Sequence, residues 1–174
     1  KNPIHFDKGI KKYIEVANLN KIKIYSFCDD YVINYSLTSL KTKNIILKTI
    51  KRLQKLNIKK YILPLYGKSL INSKNKYKLY KNLSIIAKTC EKNKIELLVE
   101  SNMTPKKFDI LKKNISSKNL FFLFDIGNRI TLKRNFVEDI RSFGNNIRHV
   151  HLKDKSFNKQ NVIIGNGQVN FELF

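Results

Sequence analysis

A parallel α/β sheet with covering helices is the fold class this sequence predicts, and three observations predict it. Helical and strand-like patterns alternate along the 174 residues. The strand-like stretches, such as YILPL (61–65) and LFFLF (120–124), are apolar on both faces, as strands buried between two layers are. The last three begin at 95, 120 and 148, hence 25 and 28 residues apart, about one strand-helix unit of a (β/α)8 barrel.

Taken in order, Ile10, Tyr13, Ile14 and Ala17 have the spacing of one helix face, and IKIYSFC (22–28) reads as a buried strand. Ile46, Ile50 and Leu53 mark a second helix, followed by the strand YILPL. Leu79, Leu83, Ile86, Ala87 and Cys90 mark a third, followed by IELLVE (95–100). Thr104 and Pro105 have the chemistry of an N-cap and a first helical position, and they open a helix containing Phe108, Leu111 and Ile115. LFFLF is the fourth strand. A helix with Phe136, Ile140 and Phe143 leads to the strand RHVHL (148–152).

About five parallel strands result. A doubly wound open sheet has the same alternation, but more often carries a glycine-rich turn after its first strand, and none is present. No linker or shift in composition divides the chain, so residues 1–174 are expected to form one partial barrel domain.

Composition excludes some functions. The longest apolar run is five residues, far short of the ~20 that span a bilayer. Two cysteines, Cys28 and Cys90, fit reduced thiols in a cytoplasmic protein better than a disulfide framework. The net charge of +22 invites a nucleic-acid partner. However, 30 Lys are matched by 21 Asn and 23 Ile, the signature of an A+T-rich coding sequence, and the basic residues are spread along the chain. A solvated surface with loose polyanion association at low salt is the expectation, not a nucleic-acid site.

The chemistry sits at the strand ends. Glu100 ends IELLVE, Asp125 follows LFFLF 25 residues later, and His151 lies in RHVHL 26 residues after that. In a parallel barrel these side chains reach the C-terminal mouth on three adjacent strands, at one level. A buried carboxylate is costly unless it is paired or bound to a metal. Two carboxylates and an imidazole suit a divalent ion, Mn²⁺ or Mg²⁺ foremost and Zn²⁺ or Co²⁺ as further options. His149, His151 and Lys153 share strand parity, so His149 lies deeper and Lys153 nearer the mouth, both facing a substrate. Asp154 is expected to hold Lys153 or a ligand nitrogen, or to be a turn residue. Gly127 turns the chain after the strand, and Asn128 offers an amide to a substrate. Gly165 and Gly167 bracket Asn166 in a loop of the kind that supplies backbone N–H groups to phosphates, but a lone G-x-G is weak evidence and a tight turn is the favoured reading.

On FDIGN (124–128), HVHLKDK (149–155) and IIGNGQVNF (163–171), the chain resembles the sugar phosphate isomerase/epimerase family of xylose isomerase-like TIM barrels, whose superfamily also contains endonuclease IV. SFCDDY (26–31), LPLYGKSL (63–70) and LLVESNMTP (97–105) add to the resemblance. It implies that the strands are the third to seventh of an incomplete (β/α)8 TIM barrel. It implies metal binding by Glu100, Asp125 and His151, with Glu100 also an acid/base group, and a substrate pocket lined by Asn128, Lys153 and the Asp30–Tyr31 pair. The implied activity is isomerisation or epimerisation of a sugar or sugar phosphate through an enediolate.

Many members carry Glu where this chain has Asn166. The family's second catalytic glutamate lies on an eighth strand, and this sequence ends at Phe174, so a fragment of a longer protein, inactive alone, is expected. Two other readings stand beside the enzyme: an endonuclease IV-like AP endonuclease of DNA repair, and a non-catalytic fragment. The first needs several metal-binding histidines. The chain has His5, His149 and His151, and His5 is expected at the surface. Homo-oligomer formation is left open.

Overall fold

In a computed structural model, residues 3–115 and 117–173 are described. Among them, five parallel strands form one sheet in sequential order: β1 (Ser26–Cys28), β2 (Lys60–Pro64), β3 (Glu96–Glu100), β4 (Leu120–Asp125) and β5 (Ile147–His151). Each connection to the next strand crosses through helix. The first of these elements is preceded by α1 (Asp7–Leu19), and α2 (Tyr31–Asn34) and α3 (Leu40–Lys55) lead to β2. Then follow α4 (Lys76–Lys92), α5 (Pro105–Asn114), and the pair α6 (Ile126–Ile130) and α7 (Phe136–Phe143). A short antiparallel pair, β6 (Asp154–Lys155) with β7 (Asn161–Val162), follows β5.

Strand parity sorts the side chains into two layers. Tyr61, Leu63, Leu97, Val99, Leu120, Phe122 and Phe124 face the helices and join the main core with Ile46, Ile50 and Leu53 of α3 and Leu79, Leu83 and Ile86 of α4. Ile62, Leu98 and Leu123 form a separate inner cluster, with Phe121 packed against it. The expected apolar positions of α3, α4 and α5 are buried as the helical spacing requires. Thr104 Oγ1 accepts the Lys107 N–H at 3.1 Å, and Pro105 opens α5 behind it.

Three local expectations are corrected. The first strand is confined to Ser26–Cys28, not 22–28. Among the described residues it pairs with β2 alone, and Ile22 and Tyr25 are exposed before it. On α1, Ile10 is buried but Tyr13 is exposed. His5 is not at the surface. Its Nε2 lies 3.0 Å from Asp29 Oδ2, to which the Tyr61 hydroxyl donates at 2.7 Å, and Asp29 is fully buried. A buried carboxylate demands such partners, and the chain before α1 supplies one of them.

Candidate metal centre

The inner parity of β3, β4 and β5 carries upward from Leu98, Leu123 and His149 to Glu100, Asp125 and His151. One ligand atom from each of the latter three lies within 4.8 Å of the others. The level they share is not that of hydrogen-bond register. Val99 pairs with Phe122, so Asp125 stands two residues beyond the position opposite Glu100. Tilted strands in a barrel are staggered in this way, and the stagger brings the two carboxylates to one height. Between β4 and β5 a register shift at Phe122/Leu123 places Asp125 directly opposite His151.

Each carboxylate is held by defined partners. Asp125 Oδ1 caps α6 by accepting the Asn128 N–H at 2.9 Å. Asp125 Oδ2 faces Lys153 Nζ at 2.6 Å and His151 Nδ1 at 3.6 Å. Burial pushes the Asp125 carboxyl up, but His151, Lys153 and the Asn128 N–H outweigh it, and its pKa lies below the ordinary value. Glu100 Oε1 accepts from Asn128 Nδ2 at 3.0 Å, and Oε2 lies 3.8 Å from His151 Nδ1. Burial, and then the Asp125 charge, raise the Glu100 pKa above its ordinary value. The two acids are therefore driven in opposite directions, Asp125 down and Glu100 up.

Asn128 thus positions Glu100 and Asp125 together. Lys153 serves as a countercharge to Asp125, and burial alone would lower its pKa, but that carboxylate raises it. His149 lies below the cluster, its ring edge-on to His151 at 5.5 Å, and burial, with His151 and Lys60 next, lowers its pKa. Asp30 is exposed at the N-cap of α2, while its neighbour Asp29 is the buried acid. Tyr31 is buried, stacked on Tyr35 at 4.3 Å.

Asp154 takes neither role expected of it with Lys153 or a ligand. It is buried, and its carboxylate accepts the N–H groups of Lys155, Gly165, Gly167 and Val169 at 2.8, 3.0, 2.8 and 3.1 Å. The N–H groups of both glycines are directed to Asp154, not toward a phosphate. Gly127 has a packing duty: a Cβ there would lie 2.8 Å from Lys153 Cβ.

Two further groups stand at the mouth, and each ends or follows a strand. Cys28, an exposed residue at the tip of β1, has its thiol pushed up to about 12 by desolvation and then by the Glu100 charge. Tyr66, just after β2, is raised well above an ordinary phenol by burial and then by Glu100 and Asp125.

The donor set fits a divalent cation. His151 Nδ1 is buried and makes no hydrogen bond, yet it faces two carboxylate oxygens. Two oxygens and one imidazole nitrogen around a common point are ligands for such an ion. Among the described residues no helix is long and apolar enough to cross a membrane.

Comparison with known proteins agrees with this architecture. A stretch of 72 residues is 38% identical to the uncharacterized protein MJ1311 of Methanocaldococcus jannaschii, covering 40% of this chain and 25% of that one. The chain's match therefore spans a quarter of the length of this curated relative. The fold is similar to that of the xylose isomerase domain protein from Planctomyces limnophilus, with TM-score 0.80, 15% identity, and coverage of 97% of this chain and 69% of that chain. It is also similar to a D-tagatose 3-epimerase-like protein, with TM-score 0.76, 23% identity, and coverage of 97% and 70%. The five parallel strands are thus part of a (β/α)8 barrel. The family model described as xylose isomerase-like TIM barrel matches residues 7–174, and the chain belongs to that family.

Proposed function

We propose that this protein is a divalent-metal-dependent isomerase or epimerase of a sugar or sugar phosphate, working by carboxylate acid/base chemistry through an enediolate. The observation that carries the reading is the convergence of Glu100, Asp125 and His151 within 4.8 Å, with the imidazole Nδ1 turned unpaired toward both acids. The epimerase-like structural relative supports the substrate class.

Asp125, His151 and Glu100 would hold the ion, with Mn²⁺ or Mg²⁺ favoured by the oxygen-rich set. When bound, the ion supplies positive charge that stabilises an enediolate and orients adjacent oxygens. Glu100 is the proton-transfer group. It is a buried carboxylate with one oxygen held by Asn128, so its other oxygen is the one available to take a proton from a substrate carbon. Asn128 Nδ2 fixes Oε1 and so fixes the direction from which Glu100 Oε2 meets a proton beside a carbonyl. Lys153, beside Asp125, is placed to donate to a substrate hydroxyl. The endonuclease reading loses its histidines: His5 is committed to Asp29, and His149 lies below the cluster.

The test is metal content of the full-length protein by mass spectrometry. Glu100→Gln, Asp125→Asn and His151→Ala should each lose bound metal, and each should abolish deuterium uptake from D₂O by a ketose substrate. Wild-type metal content in all three variants would remove the reading.

A further inference from the structure

Arg129 takes no part in the chemistry just described, yet it is among the least exposed residues of the protein, at 1%. Its guanidinium pairs with Asp139 of α7, and Arg134 reaches the same carboxylate oxygen at 3.5 Å. The group lies 5.9, 5.6 and 5.4 Å from the ring centres of Phe122, Phe124 and Phe143. Its Nη1 donates to the Met103 carbonyl at 2.7 Å.

Such burial is costly. An apolar pair filling the same volume is often as stable as a buried ion pair, or more so. Stability alone therefore does not account for an arginine here. What an apolar side chain cannot do is hold the Met103 carbonyl. That carbonyl belongs to the segment leaving Glu100 at the tip of β3. Arg129 itself belongs to α6, where the preceding residue, Asn128, donates to both Glu100 and Asp125. The guanidinium thus joins the two segments whose relative position sets the Asn128–Glu100 contact.

We propose that Arg129 is a positioning residue of the metal centre: its hydrogen bond to the Met103 carbonyl locks the segment after Glu100 onto α6, keeping the Asn128 amide on Glu100 Oε1. This rests on the metal-centre reading above. Outer partners that bond a metal ligand directly, as Asn128 does, commonly carry 10- to 100-fold in metal affinity; Arg129 acts one contact further out, and about 10-fold, the lower end, is expected.

The experiment is calorimetric titration of the full-length protein with Mn²⁺, with thermal melting of the metal-free protein alongside. The variants are Arg129→Met/Asp139→Leu and Arg129→Lys. The double variant should melt at or above the wild-type temperature, since an ion pair gives way to apolar packing. Its Kd for Mn²⁺ should nevertheless rise about 10-fold. Arg129→Lys keeps a charge for Asp139 but lacks the planar fork, and its Kd should rise as well. An unchanged Kd in either folded variant overturns the role of Arg129 and leaves the metal centre standing. If the double variant does not fold, Arg129→Lys decides the question by the same readout. Absence of Mn²⁺ binding by the wild-type protein overturns both.

Discussion

Lys153 Nζ lies 2.6 Å from Asp125 Oδ2, so the buried acid of the cluster whose pKa is lowered already has a cation beside it. Asp125 is almost fully buried, whereas the Lys153 side chain is 39% exposed. Lys153→Met leaves a buried carboxylate short of positive charge, and the metal-free protein should lose about 1–2 kcal/mol, a buried-pair penalty discounted for solvent screening. A bound divalent ion would restore that charge. The gap in melting temperature between Lys153→Met and wild type should therefore narrow when Mn²⁺ is added, as scanning calorimetry would show.

Glu100 gives a pH dependence of definite sign. Its folded-state pKa is raised, by burial first and the Asp125 charge second. A raised acid stabilises the fold below its unfolded value, near pH 4.3, and that contribution is lost as pH rises through the folded value. Glu100→Gln should therefore raise the melting temperature of the metal-free protein at pH 7 while removing metal binding. A melting temperature lowered at pH 7 by this change would show that ionised Glu100 is not a strained group.

Asp154 has the opposite sign. Burial would raise its pKa, but the N–H groups of Val169, Gly167, Lys155 and Gly165 hold it below the ordinary value. Its contribution is present above the unfolded carboxylate value, about pH 4, and is lost as pH falls through the depressed folded value. Asp154→Ala should cost about 1–3 kcal/mol, since four N–H groups, the buried one of Val169 among them, lose an ionised acceptor. Amide exchange should accelerate at Gly165, Gly167 and Val169 while the β1–β4 amides keep their protection.

Gly127→Ala tests the packing of α6 on the strand that carries His151. The new Cβ would meet Lys153 Cβ at 2.8 Å and its carbonyl oxygen at 3.1 Å. Overpacking of this kind costs about 1–3 kcal/mol. Because the displaced chain is two residues from His151, Mn²⁺ affinity should fall with it, measured by the same titration.

Much of this was legible in the residues themselves. Strand and helix periods are local properties, set by which side chains must leave water, so four strands were placed to within one residue at each end. Equal spacing at the strand ends grouped Glu100, Asp125 and His151, and parity set His149 below His151. The first strand is shorter than its apolar run because only Ser26–Cys28 pair with β2, while Ile22 and Tyr25 stay exposed, and apolarity by itself does not report pairing. The short elements α2 and α6 and the β6–β7 pair carry too few residues for a period to show.

What the tertiary structure alone decided is how groups far apart in the chain satisfy one another. The two-residue stagger of Asp125 on Glu100, His5 on Asp29, Asp154 within the glycine loop and Arg129 on Met103 all depend on register and loop path. A buried charge requires a partner, and composition and period state that requirement at Asp125. Only the folded chain determines which of the available donors and cations comes within reach.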